Sequence, residues 1–202
     1  MNETIEYYNR NAETFAAGTI NADMEEMRQR FLKYVKAKGR ILDAGCGTGR
    51  DSLAFINAGY AVDAFDASEE MCRYASDLLK MTVKCMRFEE LSGENEYDGI
   101  WACASLLHVN AEDLPDVLTR INKLLKPDGV FYASFKSGSG ERVKEGRYFN
   151  DMTAETCRQL FSESGFRILE LFESKDVRPG RSEEWVNIIV ENGTPDRKSQ
   201  YY

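Results

Sequence analysis

Three glycines alternate with other residues at Gly45, Gly47 and Gly49, inside the stretch "ILDAGCGTGRDS" that runs from Ile41 to Ser52. Glycine lets a backbone turn tightly and lets a ligand come close to it. Asp43 stands just before this loop, and Asp66 lies 17 residues beyond Gly49. An acid at the end of a second strand is well placed to accept hydrogen bonds from ribose hydroxyls. The spacing is G-x-G-x-G, not the G-x-G-x-x-G that brings a pyrophosphate onto a helix N-terminus. The Asp43 carboxylate would repel a pyrophosphate and attract an amino-acid ammonium. No lysine follows the glycines, so the loop is not of the ATP-binding kind. A ligand with a ribose at one end and an amino acid at the other is S-adenosyl-L-methionine, which leaves S-adenosyl-L-homocysteine after giving up its methyl group.

A second set of chemically capable residues lies further along. His108 is the only histidine, in "SLLHV". Imidazole can accept a proton near neutral pH, and it can equally serve as a cap or hydrogen-bond a cofactor loop. Arg142 and Arg147 fall in "GERVKEGRYF", and Arg178 and Arg181 in "VRPGRSEEW". Two arginine-bearing loops beside a ligand cleft suit a carboxylate, phosphate or oxyanion substrate. The plainer alternative is solvated arginines pairing with Glu141, Glu145 or Glu183. Tyr148, Phe149 and Trp185 can wall the same pocket or pack in the core. Methyl transfer from a sulfonium needs alignment and desolvation, and a general base only where the nucleophile still carries a proton.

Alternating strands and helices must position these groups. "RILDAGC" reads as a buried strand and "GRDSLAFINAG" as a helix closed by Gly59. "YAVDAFD" is the next strand, ending in Asp66. "SEEMCRYASDLLK" is a helix with Ser68 as its N-cap and negative charge in its first turn. "TVKCMRF" and "YDGIWACAS" are the third and fourth strands. "NAEDLPDVLTRINKLLK" is a helix that stops at a turn, Pro127-Asp128-Gly129. "GVFYASF" is the fifth strand. Such alternation predicts a parallel sheet covered on both faces. After residue 137 the pattern changes. "SGSGERVKEGRYFND" reads as a polar loop and "TAETCRQLFSESG" as a helix capped by Thr153. "FRILELFES" and "EWVNIIVE" are two strands with no helix between them, so they pair antiparallel and make the sheet mixed. The first 30 residues look helical, with polar breaks.

The bulk numbers agree with one α/β domain over residues 1–202. Apolar residues make up 43% and charged residues 30% of the 202-residue chain, an ordinary globular composition. No run approaches the roughly 20 apolar residues of a membrane span, and the first residues lack the pattern of a secretory signal. A cytoplasmic protein without membrane partners is expected, as a monomer or homodimer. Cys46, Cys72, Cys85, Cys103 and Cys157 form no C-x-x-C pair and read as reduced thiols. With one histidine, no histidine-rich metal site is expected. The net charge of −8 disfavours nucleic acid and favours a small-molecule substrate.

"ILDAGCGTGRDS", "VDAFDAS" and "YDGIWACASLLHV" resemble successive motifs of the class I S-adenosylmethionine-dependent methyltransferases. "GRDS" followed by "AGYAVDAFD", and the later "GRYFNDMTAETCRQLFSESGF", are similar to the small methyltransferases grouped with the tellurite-resistance enzyme. The resemblance is strong over residues 35–136. It implies a Rossmann-like, doubly wound, seven-stranded mixed sheet with an antiparallel last strand and a helical N-terminal lid. The chain then divides into a lid (1–35), a cofactor-binding core (36–136), substrate-side loops with the C-terminal strands (137–192) and a tail (193–202).

The resemblance also implies roles. Gly45, Gly47 and Gly49 would admit the methionine moiety, with Cys46 and Arg50 beside them. Asp43 would reach the ammonium, and Asp66 the ribose. Ala67, Met71, Phe88 and Glu89 would meet the adenine. Many relatives carry an aspartate near position 87, where this chain has Arg87, so Glu89 or a backbone carbonyl would bind the adenine amino group. Ala102 and Cys103 would offer backbone groups to the methionine end. Tyr7, Tyr8 and Phe15 of the lid would close over the cofactor, Tyr8 touching it, and exclude water. By their residue types and places beside the cleft, and not through the resemblance, His108, Arg147, Arg178 and Arg181 are the candidates for the chemistry. The expected activity is methyl transfer to a small anionic metabolite or oxyanion. The competing readings are a tRNA wobble-base (carboxylate) methyltransferase and a non-catalytic cofactor-binding relative.

Overall fold

A computed structural model describes residues 3–193. The expected tail therefore lies almost wholly outside the described residues. Six helices and nine strands follow one another: α1 (Glu3–Thr19), α2 (Glu25–Leu32), β1 (Arg40–Ala44), α3 (Arg50–Asn57), β2 (Ala61–Asp66), α4 (Glu69–Leu79), β3 (Lys84–Cys85), β4 (Tyr97–Ala102), α5 (Leu114–Leu124), β5 (Leu125–Lys136), β6 (Gly140–Lys144), β7 (Arg147–Asp151), α6 (Ala154–Glu163), β8 (Phe166–Lys175) and β9 (Glu184–Asn192). Seven strands form one sheet in the order β3-β2-β1-β4-β5-β9-β8. All its pairings are parallel except those of β9, which runs antiparallel to both β5 and β8. The antiparallel last strand is as expected. It lies inside the sheet, and β8 takes the edge.

Side chains alternate across the sheet because successive residues of a strand point to opposite faces. In β1 and β4, Leu42, Ala44, Ile100 and Ala102 join the core under α5 and α6. Ile41 and Trp101 point the other way, into a cluster with Met27 and Phe31 of α2 and Phe55 of α3. Burial on both faces explains why the central strands read as nearly unbroken apolar runs. Ser68 and Thr153 are N-caps as expected, their hydroxyls accepting from the amides of Met71 at 3.2 Å and Thr156 at 3.1 Å. Gly59 follows α3 with φ +88°, a left-handed residue closing the helix.

Three local expectations need correction. Residues 137–151 are not an open loop, since β6 and β7 pair as an antiparallel hairpin. Its turn is Glu145-Gly146, with φ +54° and +74°, the two positive values a tight hairpin turn requires. The third strand shrinks to Lys84–Cys85, and a 3-10 turn covers Phe88–Glu90. Helix α5 ends at Leu124, and β5 begins at once. The segment Lys126–Gly129 is taken up by an irregularity between the pairs Tyr97↔Leu125 and Gly99↔Val130. Asp98 holds that bulge, accepting from Lys126 Nζ at 2.7 Å and from the Arg40 amide at 2.8 Å.

Candidate active site

A cavity of about 470 Å³ opens at the carboxyl ends of β1, β2, β4 and β5. Open α/β sheets bind ligands at this end, because the loops leaving the strands diverge there. Helix α1 roofs it, and the β6–β7 hairpin and the segment between β8 and β9 flank it.

The glycine loop supplies one wall. The Gly45 and Cys46 amides both donate to the Phe65 carbonyl at 2.9 Å, which fastens the loop to β2. A side chain on Gly47 would meet nothing within 4 Å, so its backbone is open to the cavity. The Gly47 amide donates to Asp66 at 2.9 Å, and the Ser68 amide donates to the other Asp66 oxygen at 2.9 Å. Burial raises the Asp66 pKa, and these amides oppose the rise. Gly49 does not line the cavity. Its Cα faces Ala75 and Leu79 of α4 at 3.2 Å from where a Cβ would stand, so it serves helix packing.

Asp43 is buried in the floor and accepts from Ser52 Oγ at 2.6 Å. Desolvation, with Asp51 nearby, pushes its pKa up to about 7. Asp51 is bound on every side, by Arg28 at 2.8 Å, Arg50 at 2.6 Å and Trp101 Nε1 at 3.1 Å. Those two guanidiniums hold the Asp51 carboxyl below its ordinary range against desolvation. Arg50 also reaches the Thr19 carbonyl at 3.3 Å, joining the cavity floor to the end of α1.

Ala67, Met71, Phe88 and Glu89 all line the cavity, as do Cys46, Arg50 and Cys103. Ala102 does not line it. That residue is fully buried in β4, and Ala104 and Ser105 take the place expected for it. Arg87 also lines the cavity.

The roof is tied down at several points. Asn9 Oδ1 accepts from Ser68 Oγ at 2.7 Å, and Thr4 Oγ1 accepts from the Tyr148 amide at 3.0 Å. Tyr7, Tyr8 and Phe15 pack edge to face over the cavity. His108 lies beneath them. Its Nδ1 is 2.6 Å from the Tyr148 carbonyl, which can only accept, so Nδ1 carries the hydrogen. Its Nε2 is 2.9 Å from the Tyr8 hydroxyl and so accepts from it. Burial, with Arg147 and Lys136 near, lowers the His108 pKa to about 4.

The arginines separate. Arg147 lines the cavity, stacks over Tyr7 at 4.3 Å and Phe149 at 5.3 Å, and pairs with Glu145 at 2.7 Å. Its Nε is buried with no hydrogen-bond partner. Arg178 and Arg181 also line the cavity, paired with Asp176 and Glu183 respectively. Arg142 does not line it, being held by Asp151 on the hairpin. Phe149 and Trp185 are wall residues, while Tyr148 contributes its carbonyl from behind. Lys136, Ser105 and the Asp51 network went unread in the sequence. Lys136 ends β5 and Ser105 follows the end of β4, and that position was a usable signal.

Comparison with known proteins bears on this arrangement. A family model described as a methyltransferase domain matches residues 41–129. The chain is 27% identical over 143 residues to an uncharacterized methyltransferase of Staphylococcus carnosus, covering 66% of this chain and 69% of that one. It is 32% identical over 155 residues to a malonyl-[acyl-carrier protein] O-methyltransferase of Pectobacterium atrosepticum, covering 72% of this chain and 60% of that one. The chain spans about half to two thirds of the curated relatives it matches, from 49% to 69% of the first three. Among solved structures, the 1,6-didemethyltoxoflavin-N1-methyltransferase of Burkholderia thailandensis superimposes with a TM-score of 0.77 at 22% identity, covering 94% of this chain and 85% of that one. That structure holds 1,6-didemethyltoxoflavin and S-adenosylhomocysteine. At such identity the likeness speaks to the fold.

Proposed function

We propose that the chain is a class I S-adenosylmethionine-dependent methyltransferase whose acceptor is a small molecule bearing an acid group. The observation that carries the reading is the electrical polarity of the cavity. On the side of the glycine loop, Asp43, Asp51, Asp66 and Glu89 outnumber Arg50 and Arg87. On the hairpin side, Lys136, Lys144, Arg147, Lys175, Arg178 and Arg181 outnumber Glu145, Asp176 and Glu183. A sulfonium with an ammonium suits the first half, and an anion suits the second, although the whole chain carries −8.

The residues present fit the cofactor. Gly47 leaves a cradle that a Cβ would fill, and Asp66 keeps lone pairs free for ribose hydroxyls beside its two amide bonds. Met71 and Phe88 give the adenine an apolar slot, and Asp43 faces the amino-acid end. When bound, the cofactor supplies a methyl group on a positively charged sulfur. The protein's share is orientation and the exclusion of water by Tyr7, Tyr8 and Phe15. Arg147 would hold the acid, since its buried Nε has a donor to spare. The neighbour that holds 1,6-didemethyltoxoflavin suits a compact acceptor, while the relative named for malonyl-[acyl-carrier protein] suits an acid but one carried on a protein. The six cations sit around a cavity, not on an open face, so a folded RNA is disfavoured.

Calorimetric titration with S-adenosylhomocysteine, followed by methyl transfer to a panel of small acids, tests the reading. Binding of the cofactor product and transfer to an acid are expected, with Arg147→Gln raising KM for the acid about tenfold or more. Transfer only to neutral acceptors or to tRNA would overturn it.

A further inference from the structure

We propose that Tyr8 is the group that takes the acceptor's proton, passing its own to His108, and that the acceptor is therefore an acid carrying a separate N–H or O–H nucleophile. This rests on the methyltransferase reading above and narrows its substrate class. The geometry fixes every hydrogen in the chain of contacts. The Tyr148 carbonyl forces the hydrogen onto His108 Nδ1, at 2.6 Å. Neutral Nε2 then has a lone pair, and the Tyr8 hydroxyl must donate into it at 2.9 Å. Tyr8 lines the cavity, and although Arg147 donates to its oxygen, one lone pair is left to accept from a bound molecule.

A carboxylate anchor alone would need no such device, because an ionised nucleophile has no proton to lose. The groups facing the pair make sense of the two-residue arrangement. Burial and the positive charges of Arg147 and Lys136 keep His108 neutral. Burial also raises Tyr8 to about 12, while Arg147 pulls the other way. Tyr8 is therefore a relay and not a resident phenolate. In the reaction, the nucleophile–carbon bond forms as the carbon–sulfur bond breaks. The proton on the nucleophile passes to the Tyr8 oxygen, and the Tyr8 hydrogen passes to His108 Nε2. The imidazolium so formed keeps its Nδ1–H bond to the Tyr148 carbonyl, is short-lived because burial and the nearby cations disfavour it, and returns its proton to water when the roof opens. One methyl group and one proton leave, and none is unaccounted for.

Because His108 is the only histidine, its imidazole can be followed by nuclear magnetic resonance without assignment. The wild-type protein is expected to show a neutral ring with the hydrogen on Nδ1 at pH 7. Tyr8→Phe removes the Nε2 bond alone, and the Nε2 resonance should shift. In turnover, Tyr8→Phe should lower kcat about 100-fold for para-aminobenzoate or glycolate if these are methylated at nitrogen or hydroxyl oxygen. S-adenosylhomocysteine affinity should stay within about threefold, since Asn9 and Thr4 still tie the roof. If the hydrogen sits on Nε2, or Tyr8→Phe leaves the imidazole signals unchanged, the relay is wrong whatever the acceptor. If acids are methylated at the carboxylate itself and Tyr8→Phe turns them over normally, the relay fails while the wider reading stands. If no acid is methylated by the wild type, the wider reading fails, and the imidazole signals still decide the geometry.

Discussion

Gly45 and Ser105 are in contact so close that a Cβ on Gly45 would stand 2.4 Å from Ser105 Cβ. Ser105 in turn donates to the Ala44 carbonyl at 2.7 Å, so the loops after β1 and β4 are locked together at one point. Gly47, two residues on, faces open space. The two glycines thus do different work.

Substitution should separate them. Gly45→Ala must either push Ser105 away or distort the loop, at φ +74° where alanine is already strained. A loss of about 2–4 kcal/mol in urea unfolding is expected, from overpacking together with backbone strain. Gly47→Ala bears only the strain at φ +55° and should cost about 1 kcal/mol, yet it fills the cradle. It should weaken S-adenosylhomocysteine binding about tenfold or more in calorimetry. Equal stability losses in the two variants would refute the distinction.

Asp51 is a buried carboxylate shared by Arg28 and Arg50 and bonded by Trp101. Asp51→Ala would leave two guanidiniums without their common partner and the indole N–H unsatisfied. A cost of about 3–5 kcal/mol is expected by denaturant unfolding, which is the loss of one member of a buried ion network. Asp51→Asn keeps the shape and loses the charge, so it should be intermediate. A small effect of Asp51→Ala would mean that water reaches the network freely.

Much of this was legible in advance, for physical reasons that differ by element. The central strands are buried on both faces, and β1 from Ile41 to Ala44 is therefore apolar except for Asp43. That exception is what marks the site. Caps were readable because Ser68 and Thr153 satisfy amides locally, independent of the rest of the fold. The β6–β7 hairpin was not, because β6 is largely exposed and shows no alternation of buried and exposed positions. Its Glu145-Gly146 turn also lacks the Asn-Gly or Asp-Gly signature. The division of the arginines was hidden for another reason. Whether Arg142 pairs with Asp151 or faces the cavity depends on the register of that hairpin, Gly140↔Asp151, which no local pattern encodes. The pairing of Tyr8 with His108 spans 100 residues and needs the whole sheet to exist first.

Asp43 makes a prediction about cofactor binding. Its pKa is raised to about 7 in the free protein, chiefly by desolvation. An ammonium placed beside it would favour the ionised form. Binding near pH 6 should therefore release a proton, and affinity should climb as pH rises towards about 7 and then level off. Calorimetry of S-adenosylmethionine binding in buffers of different ionisation enthalpy measures the release directly. Asp43→Asn should bind more weakly and show no such release. Equal proton release by the variant would assign it to another group.

His108 makes the corresponding prediction about stability. Its pKa falls from 6.5 to about 4 in the folded protein, mainly through burial. Between those values the unfolded chain binds the proton and the folded chain does not. Stability from this residue is therefore complete above about pH 7, falls as the pH drops through the window, and is lost by about pH 4. The drop amounts to about 3 kcal/mol, with the magnitude set by the shift. Asp43 works in the opposite sense over nearly the same range, because a raised carboxyl pKa favours the folded state at lower pH. The wild-type curve alone would blend the two slopes, so the difference between two proteins is the quantity to measure. Urea unfolding of wild type and His108→Gln at intervals from about pH 7.5 to about pH 4.5 isolates the histidine. The gap between the curves should shift in favour of the variant by about 2–3 kcal/mol as the pH falls. Parallel curves would mean that the imidazole titrates normally and that the contacts with Tyr8, Tyr148 and Phe149 do not shield it.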